Sequence, residues 1–206
     1  MSSILSLKLP AVPERVPLAE QLPVGRLIEI ASEAAGAQMT TAVACLRHAQ
    51  ARGEPSAWVQ RAGGSLFPPD LAENGIDLGA LLIVNVPASA GAFGAPKAVE
   101  LLLRSGGFGM VVLDLAGIAL PNDLAWQGRL LGLAREHESA LLLLSDARAN
   151  GRAAGSLGPL VSLCLAPRRR RVERGLFAIE PHVRKDKSGL LCGLAEERRR
   201  GPRGLV

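Results

Sequence analysis

The stretch from Gly25 to Gly53, GRLIEIASEAAGAQMTTAVACLRHAQARG, constrains the fold of this chain most. An apolar run from Leu27 to Ile30 has the length of a buried strand, and a loop of small residues follows it. The next segment sets Ala42, Val43, Leu46 and Ala49 at helical spacing on one face. Strand, loop and helix in that order can surround a phosphate, because the loop's backbone N–H groups and the open N-terminus of the helix converge on one point.

The chemistry of a nucleotide site needs more than this architecture. Glycines allow close backbone approach, a lysine reaches the β- and γ-phosphates, and a hydroxyl binds Mg²⁺. Read from Ser32, the segment SEAAGAQMT puts Ser32 at the first glycine position, Ala37 at the second, Gln38 at the lysine and Met39 at the hydroxyl, with Thr40 next. Moving the frame so that Gly36 takes the second glycine position leaves Ala37 in the lysine slot. The chain has four lysines, Lys8, Lys97, Lys185 and Lys187, and none lies nearby in sequence. The expectation is a degenerate nucleotide site.

Short apolar runs recur at Ser56 to Val59, 81 to 87, 109 to 115 and 140 to 145, and read as buried strands. Between them, FPPDLAENG predicts a short helix beginning near Pro68 or Pro69 and stopped by Gly75, and a second helix is expected from about Pro96 to Arg104. Asp123 is placed to cap a third, from Leu124 to about Glu138, with Leu130, Leu131 and Ala134 inward. Strands alternating with helices predict an α/β fold, a mostly parallel sheet with helices on both faces. Runs at 160 to 167 and 176 to 181 flank RRRRVERG and predict two strands joined around a basic connection, a C-terminal β-hairpin.

From about Val24 to Gly189 the chain resembles the ATPase core of RecA. The resemblance is carried by LPVGRLIEI, the threonine pair after the loop, RSGGFGMVVLD at 104 to 114 and VRKDKSG at 183 to 189. Within that superfamily it is most similar to the accessory proteins of the ImuA type, which are encoded with an inactive Y-family polymerase homologue and an error-prone polymerase and act in damage-induced mutagenesis. The resemblance implies a RecA-like core at 24–192, a Pro-rich N-terminal arm at 1–23 and a basic flexible tail at 193–206. It matches Asp114 to the magnesium-positioning aspartate, although an aspartate at a strand end also serves as a loop cap. Ala62 falls near the catalytic glutamate's position, and Ser145 and Asp146 where a glutamine would sense the γ-phosphate. Lys185 and Lys187 match lysines that reach across a filament interface to the neighbour's ATP. With the lysine, hydroxyl, glutamate and glutamine all replaced, the expectation is a pseudo-ATPase without a cofactor that acts by association. The implied partners are the inactive polymerase homologue, RecA and, weakly and without specificity, single-stranded DNA. A second reading is a SulA-like division inhibitor, with a reduced RecA-like fold, that binds the tubulin-like division protein. An active RecA-type, DNA-dependent ATPase is a third.

Charge supports an acidic partner. Of 24 basic residues four are lysines, so 20 are arginines, and the net charge is +5 with a pI near 9.7. Arg168, Arg169, Arg170 and Arg171, with Arg174, form the densest block, readable as a site for DNA or an acidic protein or as the solvent-facing end of a strand. Arg148 and Arg152 are the cations of the loop DARANGRAAGSLG, which has no aromatic on which a base could stack. Cys45, Cys164 and Cys192 are far apart and odd in number, which indicates neither a disulfide framework nor a zinc site. Pro10, Pro13, Pro17 and Pro23 exclude a long helix at the start, leaving a docking arm or a loosely held terminus. No secretory or membrane-spanning pattern is present, so no membrane contact and a cytoplasmic location are expected.

Overall fold

The computed structural model describes residues 15–33, 36–118, 120, 124–146, 157–187, 189, 191 and 193–201. The predicted apolar runs are strands: β1 (Arg26–Ser32), β2 (Ser56–Arg61), β3 (Leu81–Val86), β4 (Met110–Asp114), β5 (Ala140–Asp146) and β6 (Val161–Leu165). Four helices connect them, α1 (Gln38–Ala51), α2 (Pro68–Glu73), α3 (Gly94–Arg104) and α4 (Ala125–Glu136). The chain ends in β7 (Arg168–Glu173), β8 (Leu176–Glu180), β9 (Val183–Asp186) and β10 (Glu197–Arg200). Helix α2 starts on Pro68, whose missing N–H costs nothing in a first turn, and Gly75 follows it at φ 81°, a conformation glycine adopts without strain.

Seven strands form one sheet in the order β3-β2-β4-β5-β1-β6-β9, with β9 antiparallel to β6 and the other pairs parallel. Central strands β1, β4 and β5 are covered on both faces, which is why their sequences run apolar rather than alternating. On one face Ile28, Ile30, Val112, Leu142 and Leu144 pack under Ala42, Cys45 and Leu46 of α1. On the other, Leu27, Val111, Leu113, Leu141 and Leu143 pack under Val99 and Leu103 of α3 and Trp126 and Leu130 of α4. Among the described residues no helix is long and apolar enough to cross a membrane.

A separate antiparallel sheet, β10-β8-β7, corrects two expectations. The arginine block is a strand and not a connection: Arg168 pairs with Glu180 and Arg171 with Phe177, so the hairpin is β7–β8, while β6 belongs to the parallel sheet. The region expected as a flexible tail contains β10, in register with β8 from Glu197 opposite Ile179 to Arg200 opposite Leu176. Backbone ladder bonds to β8 hold this strand without an apolar side chain of its own. Just before it Leu194 packs on the core and bridges Val16. Within the Pro-rich segment, Leu18 is likewise core, so residues 15–23 are bound to the body of their own chain. Residues 1–14, Asp123, Cys192 and 202–206 lie outside the described residues.

Helices α3 and α4 are tied by Glu100, which accepts from Lys97 (3.2 Å), Arg104 (2.6 Å) and Arg129 (3.3 Å). Burial works to raise its carboxyl, but the bonds from Lys97 and Arg129 and the charges of Lys97 and Arg104 outweigh it and hold it below 4.5. A carboxyl depressed on folding contributes stability above its unfolded value and loses it as pH falls through the folded value. Thermal melts should therefore show a loss below pH 4.5 that Glu100→Gln reduces.

Candidate functional site

The loop after β1 is closed by its own bonds. Gly36 N–H donates to the Glu33 carbonyl at 2.9 Å, a turn so tight that a Cβ on Gly36 would come within 2.8 Å of that oxygen. Ala37 N–H donates to the Pro167 carbonyl at 2.9 Å, and Gly36 bridges Arg168. Two N–H groups that would face an anion are thus occupied.

At the lysine position, the Gln38 carboxamide turns back into the sheet. Its Nε2 donates to the Ile30 carbonyl of β1 and, at 2.9 Å, to the Ser145 carbonyl of β5. Met39 packs against the core beneath α1, so its position offers a thioether to the interior. Thr40 is exposed and Ser32 half-buried. The carboxylate of Glu33 is ion-paired to Arg168 at 3.3 Å and to Arg184. With a neutral amide in place of the ammonium, the lysine position offers a polyphosphate no cation.

Asp114 ends β4, two strand spacings or about 10 Å from β1 across β5. Its Oδ1 accepts from Ala116 N–H at 2.9 Å, the loop-capping role. Burial raises its pKa, and the Ala116 bond and the Arg61 charge oppose the rise. Ala62 is exposed, its N–H bonded to the Val86 carbonyl at 2.8 Å. Asp114 stands opposite Leu144 of β5, next to the Ser145 whose carbonyl Gln38 binds.

The structure adds a residue that sequence reading missed. Glu29, in the middle of β1, is 2% exposed. Its Oε1 accepts from Ser145 Oγ at 2.5 Å and its Oε2 from Leu157 N–H at 2.7 Å, linking both flanks of segment 147–156 to the centre of the sheet. A lone carboxylate inside an apolar strand is costly unless fully bonded, and LIEI carries that signal. Beside it Cys164 is pushed up to about 12, by burial first and then by Glu29. Lys185 and Lys187 donate to the carbonyls of Gly158 at 2.9 Å and Pro159 at 2.6 Å, so both are used in holding the turn that follows the segment. Burial and the neighbouring Lys187 lower the pKa of Lys185.

The arginine block divides. Arg168 pairs with Glu33, and Arg170 with Glu180 at 3.0 Å and Glu196 at 3.2 Å. Arg169 lies over the Phe177 ring at 5.1 Å. Arg171 and Arg174 have no acidic partner among the described residues. Arg148 and Arg152 lie outside the described residues. No cluster of metal-ligating side chains occurs among the described residues. No protein-family model and no curated protein matches the chain.

Replacing Gln38 with alanine leaves the Ile30 and Ser145 carbonyls without this donor. Denaturant unfolding of Gln38→Ala should show a loss of roughly 1–3 kcal/mol. An unchanged midpoint would mean that the two bonds contribute nothing to the fold.

Proposed function

We propose that this chain is a RecA-like protein that has lost nucleotide chemistry and acts by association with other proteins, as an accessory factor in damage-induced mutagenesis. The observation that carries the loss of nucleotide chemistry is the closed loop, in which Gln38 is bonded into the sheet and the Gly36 and Ala37 N–H groups are taken. The strand–loop–helix frame and the parallel sheet behind it suit the RecA-like reading. The assignment to mutagenesis rests on the resemblance to ImuA-type proteins. On this reading the partners are the inactive polymerase homologue and RecA.

Association without ATP needs surfaces, and the sheet has an exposed edge. Strand β3 borders the sheet with Leu82 45% exposed, and Leu78 just before the strand is exposed as well. Exposed apolar edges of this kind are sites where another chain adds. The lysines that would meet a neighbour's ATP hold a turn instead, which disfavours long self-filaments. The expected state is a monomer or small oligomer.

Calorimetry with ATP and Mg²⁺ should be flat, whereas micromolar binding abolished by Asp114→Ala overturns the pseudo-enzyme reading. In pull-downs, RecA or the polymerase homologue should bind the wild type, and Arg171→Glu with Arg174→Glu should weaken the complex with the circular dichroism unchanged. Single-stranded DNA should bind weakly, without sequence preference and with a steep loss in salt, because the candidate contacts are arginines without an accessible stacking ring.

A further inference from the structure

Helices α3 and α4 lie side by side over one face of the sheet and leave a groove of about 430 Å³ between them. Phe93 and Pro96 at the start of α3, with Trp126 and Leu130 of α4, form its apolar walls. Phe93 stands at the N-cap of α3, where a polar side chain would bond the first turn, yet it makes no capping bond and stays 60% exposed. Local structure does not account for a phenylalanine there.

The charge along the groove is unbalanced. Glu100 lines it with its side chain 6% exposed, and Lys97, Arg104 and Arg129 converge on that one carboxylate. Each cation keeps more than half of its side-chain surface in water, and no second carboxylate among the described residues pairs with any of them. The stripe Phe93, Lys97, Glu100 and Arg104 follows helical spacing along α3 for about 16 Å, three turns. On α4 the facing stripe is Ala125, Arg129 and Gly132, and a Cβ on Gly132 would meet nothing within 4 Å. Glycine inside a helix is destabilising, and no neighbour among the described residues requires this one.

We propose that this groove is a docking site for a three-turn acidic amphipathic helix of another protein. Its apolar side chains seat between Phe93, Pro96, Trp126 and Leu130, and its carboxylates meet Lys97, Arg104 and Arg129 on the rim. Gly132 lets its backbone approach α4 closely. The occupant is a helix because walls made of helix side chains offer a strand no backbone ladder, whereas a helix satisfies its own N–H and C=O groups. The proposal rests on the reading of this chain as an association factor and names the chemistry of one partner.

Other occupants fit less well. A second copy meeting groove to groove would set these cations against their equals. Helix α2 carries Asp70 and Glu73, but its 6 residues do not span the groove and its Leu71 is buried in the core. A nucleic acid backbone needs cations spaced along a track, and these three gather within 3.3 Å of a single carboxylate.

The test is fluorescence anisotropy on the full chain with a labelled three-turn peptide, stapled to hold it helical, with leucines on one face and glutamates on its flanks. The comparisons are the same peptide with alanine for leucine, the same peptide with lysine for glutamate, and an oligodeoxythymidylate of equal charge. The acidic peptide should bind, and either peptide change should weaken binding at least tenfold. Phe93→Ala and Gly132→Leu should each weaken it about tenfold, and thermal melts of Gly132→Leu should show no loss of stability, because leucine suits a helix better than glycine. Equal binding of the alanine peptide, tighter binding of the oligonucleotide, or full affinity in both variants overturns groove docking, and the peptide comparison needs no variant to fold. Absent peptide binding while RecA or the polymerase homologue still associates overturns this proposal alone. Intact peptide binding with neither protein associating overturns the named partners instead.

Discussion

The carboxamide of Gln38 fixes the end of the sheet on which the rest of the candidate site depends. Parallel strands leave carbonyls at their C-terminal ends that the ladder does not use, and a buried carbonyl without a donor is costly. Gln38 supplies a donor to two of them, Ile30 on β1 and Ser145 on β5, from the first residue of α1. The helix start is held down, Met39 is drawn towards the core, and the turn through Glu33, Gly36 and Ala37 closes over the gap. A lysine in the same place would carry a charge that those two carbonyls satisfy only in part, and it would reach outward for an anion. The substitution changes the loop from a receptor into a piece of structure.

The closed loop in turn sets the small sheet against the large one. Ala37 N–H reaches the Pro167 carbonyl, Gly36 bridges Arg168, and Glu33 takes Arg168 from β7 and Arg184 from β9. Three of these contacts join the loop to the start of the hairpin, and the fourth, to Arg184, stays within the seven-stranded sheet. Glu29 likewise ties Ser145 and Leu157 to the centre of β1.

The core strands were legible because a strand covered on both faces must be apolar at every position, and runs such as MVVLD and ALLLL have no other soluble use at that length. Helix α2 was legible from its proline start and glycine stop. Strands β7 and β10 were hidden for the opposite reason: ERRR and RRRRVE bury little, and their strand character comes from backbone pairing with β8, which leaves no trace in side-chain pattern. At the site, the absence of lysine and hydroxyl was readable directly from Gln38 and Met39. What Gln38 does was not, since one of its acceptors lies 107 residues away. Glu33 and Glu29 were overlooked although a carboxylate in a small-residue loop and another inside an apolar strand are both conspicuous on chemical grounds.

The arginine block is not explained by the stability of the fold. Exposed ion pairs contribute about 0–1 kcal/mol each, and Arg168, Arg170 and Arg198 keep more than half of their side-chain surface in water. Against that modest gain, Arg169 and Arg171 share a face two residues apart, where like charges repel, and arginine supplies little of the packing that favours strands. A hairpin selected for stability alone would carry threonine or valine at these positions. Four consecutive arginines on an edge strand suppress pairing between identical copies, which accounts for charge at one or two positions. Two sufficed for Glu33, Glu180 and Glu196, namely Arg168 and Arg170. The remainder, Arg171 with Arg174, has no acidic counterpart among the described residues and adds unpaired positive charge to the surface.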